Sequence, residues 1–251
     1  MTEAPSPIIT AGREVVTTAA GRGLQARLLG GVGIWLRGSD EARQALGRDY
    51  ADLDLVAHSK DSRKLRALLE ALGFEPNKLF NSMHGDRRLL YYSRSPDYHI
   101  DVFLDVFEMS HKLDLGARLE TEEVTLPAAE LLLTKLQVAQ LNHKDATDIA
   151  LVLWSHELAD SDGAGRLSLP AIARMCADDW GLFTTASDNL EIIDKMLGQF
   201  EITAFAHDVI HGRIQSVAAA LREQPKSTRW KLRDRIGRRV KWYEVPEEVI
   251  R

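Results

Sequence analysis

The spacing of apolar positions changes period along the chain, and each change predicts an element. Arg13 to Arg22 reads as a first helix, and Ala26 to Leu29 as a short strand running into Gly30-Gly31-Val32-Gly33. Ile34-Trp35-Leu36 continues as helix, and the polar stretch Gly38 to Asp49, with Arg43 and Arg48, reads as a loop. Tyr50 to Val56 alternates strictly, so Asp52 and Asp54 share one face of a strand while Leu53 and Leu55 point into a core. Ser59 is a candidate N-cap for a helix over Lys60 to Leu72, ended by Gly73. A strand over Asp86 to Ser93, a turn at Ser95-Pro96-Asp97 and a strand from Tyr98 to Phe107 follow. In the last of these Ile100, Val102, Leu104 and Val106 take one face, with His99, Asp101, Phe103 and Asp105 on the other.

The second half is helical. Thr125 is the expected cap of a helix with Pro127 in its first turn and a stripe of Leu131, Leu132, Leu136 and Ala139. At 100° per residue Lys135 falls inside the apolar arc, with Glu130, Thr134 and Gln137 on the wet side. A break at Asn142 to Asp145 precedes a helix over Ala146 to Leu158 that carries Asp148 near the edge of its apolar face. Glu157 to Arg166 has the composition of a linker. Beyond it, Ser168 and Ser187 are expected caps, and Ala171–Ala177, Leu190–Phe200 and Val209–Leu221 suit a small bundle. The pattern predicts a loose tail over 1–12, an α+β domain over 13–157 and a helical C-terminal domain over 166–251.

Composition narrows the class. A chain that is 45% hydrophobic and 27% charged is ordinary globular protein, and a net charge of −5 argues against coating nucleic acid by bulk electrostatics. The single cysteine, Cys176, excludes an intrachain disulfide and a Cys-rich zinc site and reads as a core residue. The polar start lacks the apolar stretch of a secretory signal, and no apolar run approaches membrane-spanning length, so a cytoplasmic protein with no membrane partner is expected. Lys226, Arg229, Lys231, Arg233, Arg235, Arg238, Arg239 and Lys241 form a basic segment with Trp230 and Trp242 interleaved. It reads as a solvated face or as a footprint for RNA or another polyanion.

The candidate chemistry lies in the acidic strands. Two carboxylates held side by side repel unless a cation sits between them, and hard oxygen donors suit Mg²⁺ or Mn²⁺. The same alternation also describes an edge strand with one wet face. Asp101 is a third carboxylate able to join the pair from a neighbouring strand. Asp105 lies roughly 13 Å further along the strand, too far for the same ion. The glycine pair ahead of a helix lets backbone N–H groups approach a phosphate. An inward lysine needs a partner or an anionic ligand, or snorkels along the core edge.

In order, these parts are a glycine turn, Asp52-x-Asp54, Asp101, and Lys135 followed by Lys144-Asp145-Ala146-Thr147-Asp148. Over about residues 26 to 153 this resembles the nucleotidyltransferase superfamily of DNA polymerase β type, and most closely its AbiEii-like and MenT-like toxin branch. Two departures are Gly31, where a serine is common, and Tyr50, where threonine or serine often precedes Asp-x-Asp. The resemblance implies a mixed-sheet nucleotidyltransferase domain followed by a helical C-terminal region. It implies transfer of a nucleoside monophosphate from a triphosphate such as ATP to an acceptor hydroxyl. Asp52, Asp54 and Asp101 would hold Mg²⁺ or Mn²⁺, Gly30 and Gly31 cradle the phosphates, and Lys135 neutralise the triphosphate. Lys144 and Asp148 would line the nucleotide or acceptor side. RNA or tRNA as acceptor, with an antitoxin protein as partner, fits the toxin branch. A small-molecule, aminoglycoside-type adenylyltransferase and a non-catalytic, partner-regulated nucleotide-binding module of the same fold remain the alternatives.

Overall fold

The computed structural model describes residues 6–94, 98–120 and 124–245. Its elements in order are α1 (Pro7–Gly21), β1 (Ala26–Leu29), α2 (Gly30–Arg37), α3 (Asp40–Leu46), β2 (Asp52–Ala57), α4 (Ser62–Ala71), β3 (Glu75–Pro76), α5 (Lys78–His84), β4 (Arg88–Tyr92) and β5 (His99–Leu104). There follow β6 (Val106–Glu108), β7 (Lys112–Asp114), α6 (Ala128–Leu136), α7 (His143–Ser155), β8 (Glu157–Ala159), β9 (Arg166–Ser168), α8 (Leu169–Asp178), α9 (Trp180–Met196), α10 (Ala204–Glu223) and α11 (Thr228–Ile236). The chain divides into two units. The first runs to Leu36 and takes in Arg48–Phe107 and Asp114–Pro127; the second comprises Arg37–Gly47, Glu108–Leu113 and the chain from Ala128 onward.

The first unit is built on a mixed five-stranded sheet in the order β1-β2-β5-β4-β3. Only the β2–β5 pair is parallel; the others are antiparallel. Alternation decides what each face carries. Leu28, Leu53, Leu55, Leu89, Tyr91, Ile100 and Val102 project to one side and are buried with Val15 and Val16 of α1 and Leu65, Leu68 and Leu69 of α4. Helix α1 begins at Pro7, six residues ahead of the expected start. Proline is favoured in a helix's first turn, and Gly12 lets the helix approach the sheet. A Cβ at Gly12 would lie 2.8 Å from Leu53 Cδ1. Sheet-edge pairing also overrides the cap expected at Thr125, which is bridged in parallel to Leu28 while α6 starts at Ala128.

Other boundaries move for identifiable reasons. The long strand expected to reach Phe107 ends at Leu104, because Asp105 adopts φ 60° and turns its carboxylate back to His58 Nδ1 (3.0 Å) and the Ser59 amide (3.2 Å). Helix α5 was invisible to periodicity: seven residues show less than two full repeats, though Asn77 caps it by accepting from the Phe80 amide at 3.0 Å. The turn expected at 95–97 lies outside the described residues.

In the second unit, α6, α7, α8, α9 and α10 form the helical body. The expected loop over 38–49 contains α3, which Ser39 caps and which packs Ala42 and Leu46 on α7. The expected linker carries β8 and β9, paired in parallel between its two ends. Ser168 caps α8 as expected, but Ser187 lies inside α9, whose cap is Asp179. Glu130, Thr134 and Gln137, expected on a wet face, are 1%, 2% and 0% exposed because α6 is enclosed on all sides. Gln137 answers its burial by accepting from the His111 amide at 2.7 Å. Cys176 is buried, and burial pushes its thiol up to about 12. Among the described residues, no helix is long and apolar enough to cross a membrane.

Candidate functional site

The sheet face opposite the core collects the ionisable side chains. In the parallel pair, Asp52 stands level with His99, and Asp54 level with Asp101. Partnered residues on adjacent strands project to the same side, so all three carboxylates emerge from one face over two neighbouring strands. Asp52 is exposed at the strand's start, Asp54 is half-buried, and Asp101 is 4% exposed. Asp101 thus comes beside the Asp52–Asp54 pair and is not buried among aliphatic side chains.

Arg88 and His99 complete this face; the alternation of the strand had put His99 beside Asp101, whereas Arg88 did not stand out in the sequence. Arg88, two residues before the Leu90 that faces Asp101 across β4 and β5, donates from Nε to Asp101 Oδ1 at 2.8 Å. Its guanidinium also lies over Phe103 (4.9 Å) and Phe80 (5.7 Å). His99 Nε2 approaches Asp101 Oδ2 at 3.5 Å. Burial works against ionising Asp101, yet the hydrogen bonds and charges of His99 and Arg88 outweigh it and hold its pKa below the usual carboxylate value. The hydrogen bond to Asp101 raises the His99 pKa against the effect of burial, and Asp101, Asp52 and Asp54 add to the rise through their charge. The signal that could have found Arg88 is parity: it sits at an odd step from the core positions Leu89 and Tyr91.

The glycine turn abuts this face. β1 pairs with β2 so that Leu29 stands level with Asp54, and the next residue, Gly30, has φ 62°. An added Cβ at Gly30 would lie 2.0 Å from Asp54 Oδ2, so both the backbone and the carboxylate demand glycine. At Gly31 an added Cβ would fall 2.6 Å from Arg48 Nη2 and 2.7 Å from the Tyr50 ring. Arg48 lies over that ring at 4.5 Å. The two departures noted in the sequence are therefore one: the aromatic ring at 50 occupies the space a side chain at 31 would need.

Lys135 belongs to the second unit, where its Nζ meets Asp145 Oδ1 at 2.9 Å and Asp148 Oδ2 at 3.0 Å. Asp148 is fully buried rather than at an edge, and Asp145 is buried too. The inward lysine is answered by carboxylates from the first two turns of α7, not by snorkelling. Asn142 caps that helix by accepting from the Asp145 amide, which leaves the Asp145 side chain to the lysine. Lys144 is exposed. Among the described residues, no group of three or more His, Cys, Asp or Glu side chains is arranged to hold a metal ion; at the sheet face, the cation beside Asp101 is Arg88.

No family model matches the chain, and neither does the sequence of any curated protein. Among solved structures, the chain is similar to an antigenic nucleotidyltransferase-like protein from Paracoccidioides brasiliensis (15% identity, TM-score 0.44, 88% of this chain and 94% of that one). It is similar to a lincomycin-bound lincosamide antibiotic adenylyltransferase, LnuA (13%, TM-score 0.42, 60% and 98%). It is also similar to the antibiotic-resistance factor ANT(2'')-Ia (14%, TM-score 0.38, 85% and 94%).

Proposed function

We propose that this chain is a divalent-metal-dependent nucleotidyltransferase of the DNA polymerase β type, moving a nucleoside monophosphate from a triphosphate to an acceptor hydroxyl. The observation that carries the reading is the placement of Asp54 level with Asp101, with Asp52 on the same face and Gly30 pressed against the Asp54 carboxylate. Three carboxylates supply the hard oxygen donors that Mg²⁺ or Mn²⁺ prefers, and Gly30 leaves room for the Asp54 carboxylate among them. Asp52 and Asp54 would hold the ion, and Asp101 would join them once Arg88 releases it. A bound divalent ion would supply activation of the attacking oxygen and charge stabilisation of the leaving pyrophosphate.

The chain's own groups do the rest. The α2 N-terminus at Gly30 and Gly31 offers backbone N–H groups to the phosphates, with the Arg48 guanidinium alongside. The acceptor oxygen would form a bond to the α-phosphorus as the bond to the bridging oxygen breaks and pyrophosphate leaves, with the hydroxyl proton passing to solvent water. Lys135 is paired with Asp145 and Asp148, both buried, so this group braces the helices of the second unit.

The test is incubation with labelled triphosphates and Mg²⁺, in one arm with total small RNA and in another with hydroxyl-rich small molecules such as aminoglycosides. Labelled product in either arm, lost in Asp52→Ala and on chelation, is expected and identifies the acceptor class. Undiminished transfer by Asp52→Ala would overturn the assignment. Binding of triphosphate without pyrophosphate release would leave the non-catalytic module.

A further inference from the structure

We propose that the outer face of α11 and the turn that follows it is a docking surface for an acidic amphipathic segment of a partner protein. Residues 226–241 hold eight lysines and arginines against one acid, Asp234, in a chain of net charge −5. The structure sorts seven of these cations into two sets; the eighth, Lys241, lies over the Tyr243 ring at 5.6 Å. Arg233 donates to the Gly237 and Val240 carbonyls (2.6 and 2.9 Å) and lies over the Trp180 ring at 4.5 Å. Arg238 pairs with Asp188 at 2.6 Å and covers Trp242, while Lys226 donates to the Gln224 carbonyl and lies over Phe183. These three fasten the segment to the helical body. Arg229, Lys231, Arg235 and Arg239 are exposed and make no side-chain hydrogen bond or ion pair among the described residues.

Between the outward cations runs an apolar ridge. Leu232 and Ile236, one turn apart on α11, are 56% and 47% exposed, and Val240, beyond the end of the helix, is 57% exposed. Lys231 and Arg235 track these two residues one position behind on the helix, Arg229 stands on the other flank, and Arg239 lies in the turn that follows. Leu232 and Ile236 also line a cleft of about 350 Å³ with Trp180, Trp230 and Trp242, open enough to take discrete side chains. Two acids, Asp178 and Asp179, also line the cleft; Asp179 is occupied in capping α9, and Asp178 is exposed.

The occupant follows from this chemistry. Single-stranded RNA would use the cations and free aromatic faces, but Trp180 and Trp242 each have an arginine on a ring face, and an aliphatic ridge offers no stacking surface. An acidic segment with leucine-type anchors uses both the ridge and its cationic flanks, as helices laid in grooves do. Nothing in this depends on the proposed activity.

The full-length chain would be titrated with a fluorescent peptide carrying leucines on one helical face and glutamates elsewhere, read by anisotropy. A scrambled peptide, polyglutamate, a single-stranded RNA oligonucleotide and phosphatidylserine vesicles serve as competitors. The expected result is binding weakened about ten-fold or more by Leu232→Ser with Ile236→Ser, and separately by Arg235→Glu, with unchanged circular dichroism. Absence of binding overturns the proposal, as does equal binding of the scrambled peptide or polyglutamate. Tighter binding of RNA or vesicles, insensitive to the Leu232 and Ile236 changes, would also overturn it.

Discussion

Replacing Gly30 with alanine separates two constraints that meet at one residue. An L-residue in the left-handed region costs roughly 1–2 kcal/mol, and Gly30 sits there at φ 62°. The second constraint is contact: the new methyl would be 2.0 Å from Asp54 Oδ2 and 2.9 Å from its Cγ. Since no carbon and oxygen tolerate that distance, the carboxylate must swing away, at about 0.5–1.5 kcal/mol for a strained rotamer. Gly23 provides the control, with φ 71° and nothing within 4 Å of an added Cβ. Gly23→Ala should therefore cost about 1–2 kcal/mol and Gly30→Ala about 2–3 kcal/mol. Urea midpoints at unchanged slope measure both. In an Asp54→Ala background the oxygen is gone, and the nearest remaining atom of that residue would be its Cβ at 3.1 Å. The cost of Gly30→Ala should then fall to that of Gly23→Ala, a coupling of about 1 kcal/mol. If Gly30→Ala is no worse than Gly23→Ala, or its excess survives in the Asp54→Ala background, the glycine is not held by the carboxylate.

Three further outcomes are expected. Arg88→Met removes the cation from a nearly buried carboxylate and should destabilise by about 3 kcal/mol, with Mn²⁺ restoring part of the loss in thermal melts; a neutral effect would show that the Arg88–Asp101 pair carries no weight. Lys135→Met takes away the ammonium shared by Asp145 and Asp148 and should cost about 3–5 kcal/mol, more than Lys64→Met at the exposed Lys64–Asp61 pair, by the same urea assay. Burial lowers the pKa of His111 and of His156 below 6.5, with Arg37 and Arg213 adding to the effect at His156. The unfolded chain then binds more protons as pH falls through 6.5, so the stability these neutral rings contribute above that pH is lost below it. His99 has the opposite sign, its raised pKa giving stability present below 6.5 and lost as pH rises through the folded value. His156→Gln should flatten the acid limb of stability against pH, and an unchanged limb would refute the assignment.

Period and composition alone determined which residues share a face. Asp52, Asp54 and Asp101 fall opposite the aliphatics because strand side chains alternate, whatever the neighbours. Local pattern likewise marked β1 entering a glycine turn, the helix ended by Gly73 that became α4, and the buried Cys176. What a strand lies beside depends on closing long loops and on packing, and no local pattern encodes it. Tertiary structure therefore decided that β5 pairs in parallel with β2 and brings Asp101 level with Asp54, and that β4 delivers Arg88 as its counter-charge. It decided that Tyr50 fills the space over Gly31, and that Lys135 meets Asp145 and Asp148. It also placed Glu130, Thr134 and Gln137 in the interior, since a helical wheel marks the most apolar side of a helix but cannot report how many sides are enclosed.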